Sequence, residues 1–390
     1  MTEKPFSVMS HLSEWLARKR LGDPKHPTLW PSCAGATDSN GRFHGSCRRM
    51  TFLQYMVPLY FFSKATDNKY DKWKPFIDEI LKYTTKPDKY QLWLFDNADR
   101  YEEYQIEHAK ESGIYIGDQV PIYIASHNIS GKIDLIVMNP FTGKSIITEI
   151  KSVYGYSADD VLGKNFGRYS NFTGEPRTKN LMQVAIYQYH FAKDSNENAR
   201  LLYGDRGTGK YAEYEVSVDK ETSVISYRCI DPLVWKWEKV PYTVLDIYEF
   251  YKFILDSVES EIIPQRDYSI SYDISTLEKL TDESYKIIET SKEDEDLKEF
   301  SSVNDFINNP STKKSRIFRL SSRGRTTLSE SAAHQFIKHL DRKTNGGRQV
   351  KKPEEGDYQC RFCQYRTLCY DDDLNPRNLD DLCPSFESKE

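Results

Sequence analysis

The chain has 390 residues, with 54 basic against 59 acidic side chains, a formal charge of −5. That balance excludes a generally basic nucleic-acid coat, so contact with a polyanion has to come from a local patch. The length suits one large or two modest domains, and no apolar run approaches the length of a membrane span, so no membrane partner is expected.

Residues 1–30 read as a short helical lead with a basic turn, Arg18-Lys19-Arg20. The Gly, Asn and Ser of 35–46 read as a loop before Cys47, and a helix follows through Thr51–Met56. Residues 68–113 read as largely helical, the last helix running Gln91–Ser112 and stopping at Gly113. On that helix Phe95, Ala98, Glu102, Ile106 and Ala109 share one face, so Glu102 interrupts an apolar stripe. A carboxylate there is costly unless it binds something. Alternation over 120–126 predicts a strand.

Two further strands follow: Gly131-Lys-Ile-Asp134-Leu-Ile-Val, and Ile146-Ile-Thr-Glu149-Ile-Lys151. Glu149 and Lys151 are two apart and leave the same strand face. Two carboxylates and an ammonium among apolar strand residues are expensive to bury without a ligand. A hard divalent cation, Mg²⁺ or Mn²⁺, accounts for them.

The Gly- and Ser-rich stretch 155–178 is too polar for core. Lys164, Arg168, Arg177 and Lys179 suit a loop that touches a phosphate backbone, and suit a solvated loop equally well. In Leu181-Met-Gln183-Val-Ala-Ile-Tyr187, the Gln and Tyr are four apart and share one face of a helix. Strands resume at 199–203 and 212–218. Between them, Gly204-Asp-Arg-Gly-Thr-Gly209-Lys210 has the spacing of a phosphate-binding loop. Tyr211 stands where the Mg²⁺-binding Ser or Thr belongs, and a strand pattern follows instead of a helix, so the run reads as a hairpin turn.

A helix over 243–260 closes this half. Residues 265–350 alternate charged stretches with short apolar patches and read as a partner-binding or DNA-guiding module or a spacer. Cys360, Cys363 and Cys369 then follow with C-x2-C-x5-C spacing. Three such cysteines need a fourth ligand to close a metal site. A disulfide framework is not expected: seven cysteines is an odd number, and this length builds a core without staples. No signal peptide is read at the start, so a reducing cytoplasm is the expected setting. The expected divisions are an N-terminal helical segment, 1–65, a core, 66–264, an insertion, 265–350, and a cysteine segment with acidic tail, 351–390. Aromatic residues make up 13% of the chain, 27 of them tyrosines; most are expected in the core, and exposed rings would suit unpaired bases.

Asp134, then Glu149-Ile-Lys151, then Gln183-x-x-x-Tyr187 resemble the signature of the PD-(D/E)xK nuclease superfamily in its RecB-like branch. The cysteine run resembles the iron–sulfur subset of that branch, which includes the CRISPR-adaptation and AddB-type nucleases. The resemblance covers residues 30–265 and 355–370 and implies a stand-alone phage or bacterial member. It implies an α/β fold, a mixed central sheet flanked by helices, in a restriction-endonuclease-like core. Its N- and C-terminal segments would be joined by a 4Fe–4S cluster on Cys47, Cys360, Cys363 and Cys369.

Cys33 is the rival first ligand, Cys229 and Cys383 lack the context, and zinc is the alternative metal. Asp134, Glu149 and the Ile150 carbonyl would hold Mg²⁺ or Mn²⁺, Lys151 would act on water and phosphate, and Gln183 and Tyr187 would position Lys151 and DNA. The branch usually offers an upstream His as a metal ligand. Here Glu102 stands in that place, with Glu103 and His108 as alternatives. The implied activity is metal-dependent hydrolysis of single-stranded DNA from an end, in recombination, repair or phage DNA metabolism. Two other readings stay open: a DNA-binding or assembly subunit that keeps the fold, and a zinc-bound endonuclease.

Overall fold

Alternating apolar residues between positions 115 and 243 build one seven-stranded sheet. The computed structural model describes residues 12–16, 27–163, 173–192, 196–268, 360, 363–370 and 377. It falls into two units, Met1–Asp71 with Pro87–Gln265, and Lys72–Lys86 with Arg266–Glu390. Beyond residue 268, the expected insertion lies outside the described residues, as do Lys164, Arg168 and Cys383.

The sheet belongs to the first unit. Its strands are β3 (Tyr115–Ile124), β4 (Ile129–Met138), β5 (Ser145–Val153), β6 (Ala199–Asp205), β7 (Tyr211–Val218), β8 (Val224–Asp231) and β9 (Glu238–Thr243), adjacent in chain order. All neighbours are antiparallel except β5 and β6, so the sheet is mixed. A parallel pair needs a crossover. Here it runs through α4 (Tyr156–Leu162) and α5 (Thr178–Phe191). The other links are turns. Asn128, in the left-handed region at φ 48, joins β3 to β4. The run Gly204–Lys210 is the β6–β7 hairpin turn, with Asp205 accepting from the Gly207 amide and the Thr208 hydroxyl.

Helices cover both faces. Residues of α3 (Lys89–Glu111) pack Ile106 and Ala109 on Leu135 and Ile150, with Tyr101, Val137 and Leu202 around them. Neighbouring strand residues point to opposite faces. Glu149, Leu201 and Tyr203 therefore face the other way, toward α5. That helix is buried from Leu181 through Gln188. A helix buried all round lies inside a further layer, here formed with α6 (Val244–Glu259). The buried tyrosines are held by their hydroxyls. Tyr214 donates to the Val161 carbonyl at 2.6 Å, and Tyr203 accepts from the Arg177 amide and Asn180 Nδ2, each at 2.9 Å.

Before the sheet come the hairpin β1 (Gly35–Thr37) and β2 (Phe43–Gly45), then α1 (Arg48–Thr66). Three differences from the sequence reading have local causes. The 35–46 segment is this hairpin and not a loop, because the Asp38 carboxylate closes its turn by accepting from the Asn40 and Arg42 amides and pairing with His44. The 155–178 stretch does reach the core, since Ala158, Val161 and Leu162 of α4 are buried. The strand expected at 120–126 runs 115–124, because Ala125–His127 form a tight turn. Strands β8 and β9 carry too mixed a pattern to have been read.

In the second unit, α2 (Lys74–Tyr83) buries Phe76, Ile77 and Ile80. The Thr85 amide donates to the Gln364 carbonyl at 2.8 Å, and the Thr367 hydroxyl donates to the Tyr83 carbonyl at 2.5 Å, tying it to α7 (Arg366–Cys369). Among the described residues no helix is long and apolar enough to cross a membrane.

The seat of α3 on the sheet depends on Gly204. A methyl group there would overlap the Tyr101 hydroxyl. Gly204→Ala is expected to lower unfolding free energy by about 1–3 kcal/mol. In a Tyr101→Ala background, which removes the ring that the methyl group would strike, the cost is expected to shrink. Denaturant unfolding of the four proteins checks this as a double-mutant cycle.

Candidate active site

The β4–β5 ladder ends at the pair Leu135↔Thr148, whereas β5 stays paired with β6 through Val153. Beyond Thr148 the amides of β5 that point toward β4 have lost their strand partner. The Ile150 amide takes the Asp134 carboxylate instead, at 2.9 Å to Oδ2. A residue's N–H and C=O leave a strand on the same side. The Ile150 carbonyl therefore faces the same gap, while its side chain is buried under α3.

Glu149 and Lys151 line this gap. Glu149 is fully buried and accepts from the Lys151 ammonium through Oε1. Its Oε2 is buried with no hydrogen-bond partner. Lys151 Nζ lies 3.8 Å from Asp134 Oδ2, and its side chain is 29% exposed. Burial pushes the Glu149 carboxyl well above the usual range; Lys151 opposes the shift and Asp134 adds to it. For Lys151, burial works against the charge, but Glu149 and Asp134 outweigh it and the net shift is upward.

Glu102 reaches this cluster from α3. It is half-buried, and its Oε1 accepts from Gln119 Nε2. Burial, then the neighbouring Asp134, raise its carboxyl to about 7, with Lys151 pulling the other way. Glu103 and His108 are exposed, and His108 lies edge-on to Tyr104 at 3.9 Å between ring centroids. Gln119 escaped the sequence reading. Its one mark is the left-handed backbone at φ 48, which sequence does not display.

The Gln183–Tyr187 pair fixes α5 to β4. Gln183 Nε2 donates to the Tyr187 hydroxyl at 2.9 Å, and that hydroxyl donates to the Lys132 carbonyl at 3.0 Å. Lys132 lies two residues before Asp134 on the same strand. Burial raises the Tyr187 phenol above its ordinary range, and the charge of Glu149 adds to this. Arg177 is exposed at the start of α5, and Lys179 is half-buried. Lys179 partly offsets the burial that raises the Cys33 thiol.

The cysteines divide between the units. Cys47 precedes α1 in the first, and Cys360, Cys363 and Cys369 belong to the second. There Cys369 is buried with Tyr370, and Cys360 packs against them. The Cys363 amide donates to the Cys360 carbonyl at 3.3 Å. Cys33 donates to Gln54 Oε1 at 3.2 Å. Cys229 is buried in β8, where burial lifts its thiol to about 12.

The donor chemistry suits a hard cation. Asp134, Glu149 and the Ile150 carbonyl offer oxygens, and Glu149 Oε2 keeps its lone pairs. Among the described residues, no group of three or more His, Cys, Asp or Glu side chains is gathered so as to hold a metal ion. A cation here would complete its shell with water and substrate oxygens, the usual habit of Mg²⁺. Compared with known proteins, the chain matches no family model, no curated protein and no solved structure.

Glu102 sets a pH dependence. A carboxyl whose folded pKa is raised binds more protons folded than unfolded between its ordinary value and about 7. Stability is then present at low pH and falls as pH rises through that window. Glu149, shifted the same way, adds to the slope. In chelator, Glu102→Gln is expected to flatten the fall in stability between pH 5 and 7.5, as read by urea midpoints.

Proposed function

We propose that the chain is a metal-dependent deoxyribonuclease of the PD-(D/E)xK type, hydrolysing single-stranded DNA from an end. The observation that carries the reading is the gathering of Asp134, Glu149 and Lys151 where β4 and β5 part. Two acids with one ammonium leave an excess of negative charge in a buried place. Such an arrangement is costly by itself and matched to a divalent cation with a phosphate beside it.

Asp134, Glu149 and the Ile150 carbonyl would hold Mg²⁺ or Mn²⁺, with Glu102 as an additional acid. When bound, the cation would lower the pKa of water and polarise the scissile phosphate. Lys151 keeps its proton over the whole working range, because its carboxylate neighbours stabilise the charge. It would orient the attacking water and offset charge developing on the phosphate oxygens. Tyr187, fixed between Gln183 and the Lys132 carbonyl, would keep α5 in register with the Asp134 strand and steady the substrate strand against it.

For Cys360, Cys363 and Cys369, the reading rests on their spacing. Three thiolates so spaced suit a 4Fe–4S cluster or zinc. By resemblance alone, Cys47 would be the fourth ligand. Residues 265–350 are the proposed place for a protein partner.

Wild type is expected to shorten end-labelled single strands with Mg²⁺ or Mn²⁺. Lys151→Ala is expected to lose about 100- to 1,000-fold in rate, and Asp134→Asn to need far more metal. Cleavage of circular single strands would mark an endonuclease. Equal cleavage by wild type and Lys151→Ala would remove the site assignment. Protein purified without oxygen is expected to be coloured, and Cys363→Ser to lose the colour; colourless wild type carrying bound zinc would replace iron by zinc.

A further inference from the structure

Strand alternation breaks at Gln119 in β3, beside the carboxylate cluster. Asp118 pairs with Leu135 and Val120 with Ile133, so Gln119 falls opposite Asp134. Residues directly opposite on two paired strands share a face. A regular strand would therefore send Gln119 to the face of Asp134, away from α3. Asp118 belongs to the other face and meets α3 there, its Oδ1 lying 3.7 Å from Lys110 Nζ. Gln119 nevertheless reaches α3 as well, because its Nε2 donates to Glu102 Oε1.

The break lies in the backbone. Gln119 has φ 48, in the left-handed region, which a glutamine adopts only at a cost. Such a conformation persists where the surroundings over-determine it. Chain reversal does not account for it, since β3 continues through Ile124. What the conformation achieves is the contact with Glu102.

That contact divides the two oxygens of Glu102. Oε1 is taken by Gln119. Oε2 has no hydrogen bond among the described residues and, unlike Glu149 Oε2, is not sealed from solvent. Fixing one oxygen of a carboxylate gives the other a defined direction. The carboxyl also feels the charges of Asp134 and Lys151, so it lies near the proposed cation. Partners of this kind orient metal-ligating carboxylates, and their loss typically costs roughly 10- to 100-fold in metal affinity.

We propose that Gln119 is a positioning residue for the divalent cation: its amide holds Glu102 by Oε1 so that Oε2 is presented to an ion bound by Asp134 and Glu149. The left-handed backbone at 119 is the device that carries the amide from the strand to the helix. Gln119 itself touches neither the ion nor the phosphate and acts through Glu102. The proposal rests on the cation site of the nuclease reading, but its test needs no cleavage.

Mn²⁺ binding to the full chain, without DNA, is read by calorimetry and by loss of the free-ion electron paramagnetic resonance signal. Asp134→Asn identifies the binding that belongs to this site. Gln119→Gly removes the amide and accepts the left-handed backbone more readily than glutamine does. Gln119→Asn tolerates that backbone too, and its amide ends one carbon short. Thermal melting in chelator checks both folds. Each variant is expected to weaken Mn²⁺ binding about 10-fold. In a Glu102→Ala background, which leaves no carboxylate to hold, Gln119→Gly is expected to weaken binding no further. Equal binding by wild type and both Gln119 variants overturns the proposal and leaves the cation site standing. A loss of the same size with and without Glu102 also overturns it, because the amide would then support the fold and not the acid. Wild type that binds no Mn²⁺, or whose binding survives in Asp134→Asn, overturns the cation site and the proposal together.

Discussion

The site depends on one hydrogen bond that substitutes a side chain for a strand. Where β4 parts from β5, the Ile150 amide would face the gap unsatisfied, and the Asp134 carboxylate takes it. A buried amide without an acceptor is expensive, so the acid is needed for the fold as well as for any chemistry. The same contact fixes Asp134 beside Glu149 and Lys151. Because β5 remains paired with β6, the gap opens on one side only.

That gap is also where the two faces of the sheet influence one another. Glu102 belongs to the helix over Leu135 and Ile150, while Asp134 and Glu149 belong to the opposite face. Yet Asp134 and Lys151 both act on the Glu102 carboxyl. The three carboxyls and the ammonium are therefore coupled electrostatically. The balance shifts Glu102 and Glu149 toward their neutral forms and Lys151 toward its charged form. A bound cation would reverse the shifts on the acids.

Tyrosine does much of the positioning. Tyr187 fastens α5 to β4, Tyr203 fastens the start of α5 to β6, and Tyr214 fastens α4 to β7. Each buries a large apolar ring and ends in a hydroxyl that satisfies a backbone group. Phenylalanine would fill the space and leave those groups unpaired. The abundance of tyrosine in the composition thus has a structural use, separate from any role of exposed rings.

Much of this was legible in the sequence, because it depended on local pattern. Alternation marked β3 and β7, and the spacing of Gln183 and Tyr187 put them on one helix face. A carboxylate within the apolar stripe of α3 singled out Glu102. The absence of helix pattern after Gly209 identified the hairpin turn. What failed were segments whose structure comes from contacts distant in sequence or from side chains closing their own turns. The 35–46 hairpin depends on Asp38, and α4 is buried only because Val161 and its neighbours meet the sheet. The sequence by itself determined the succession of strands from β3 to β7 and the chemical types in the site, since both are properties of neighbouring residues. Only the tertiary structure decided that β4 ends its pairing at Thr148, that Glu102 and Asp134 share one field, and that Gln119 reaches across to Glu102. Each of those joins segments separated along the chain, and no periodicity records where such segments meet.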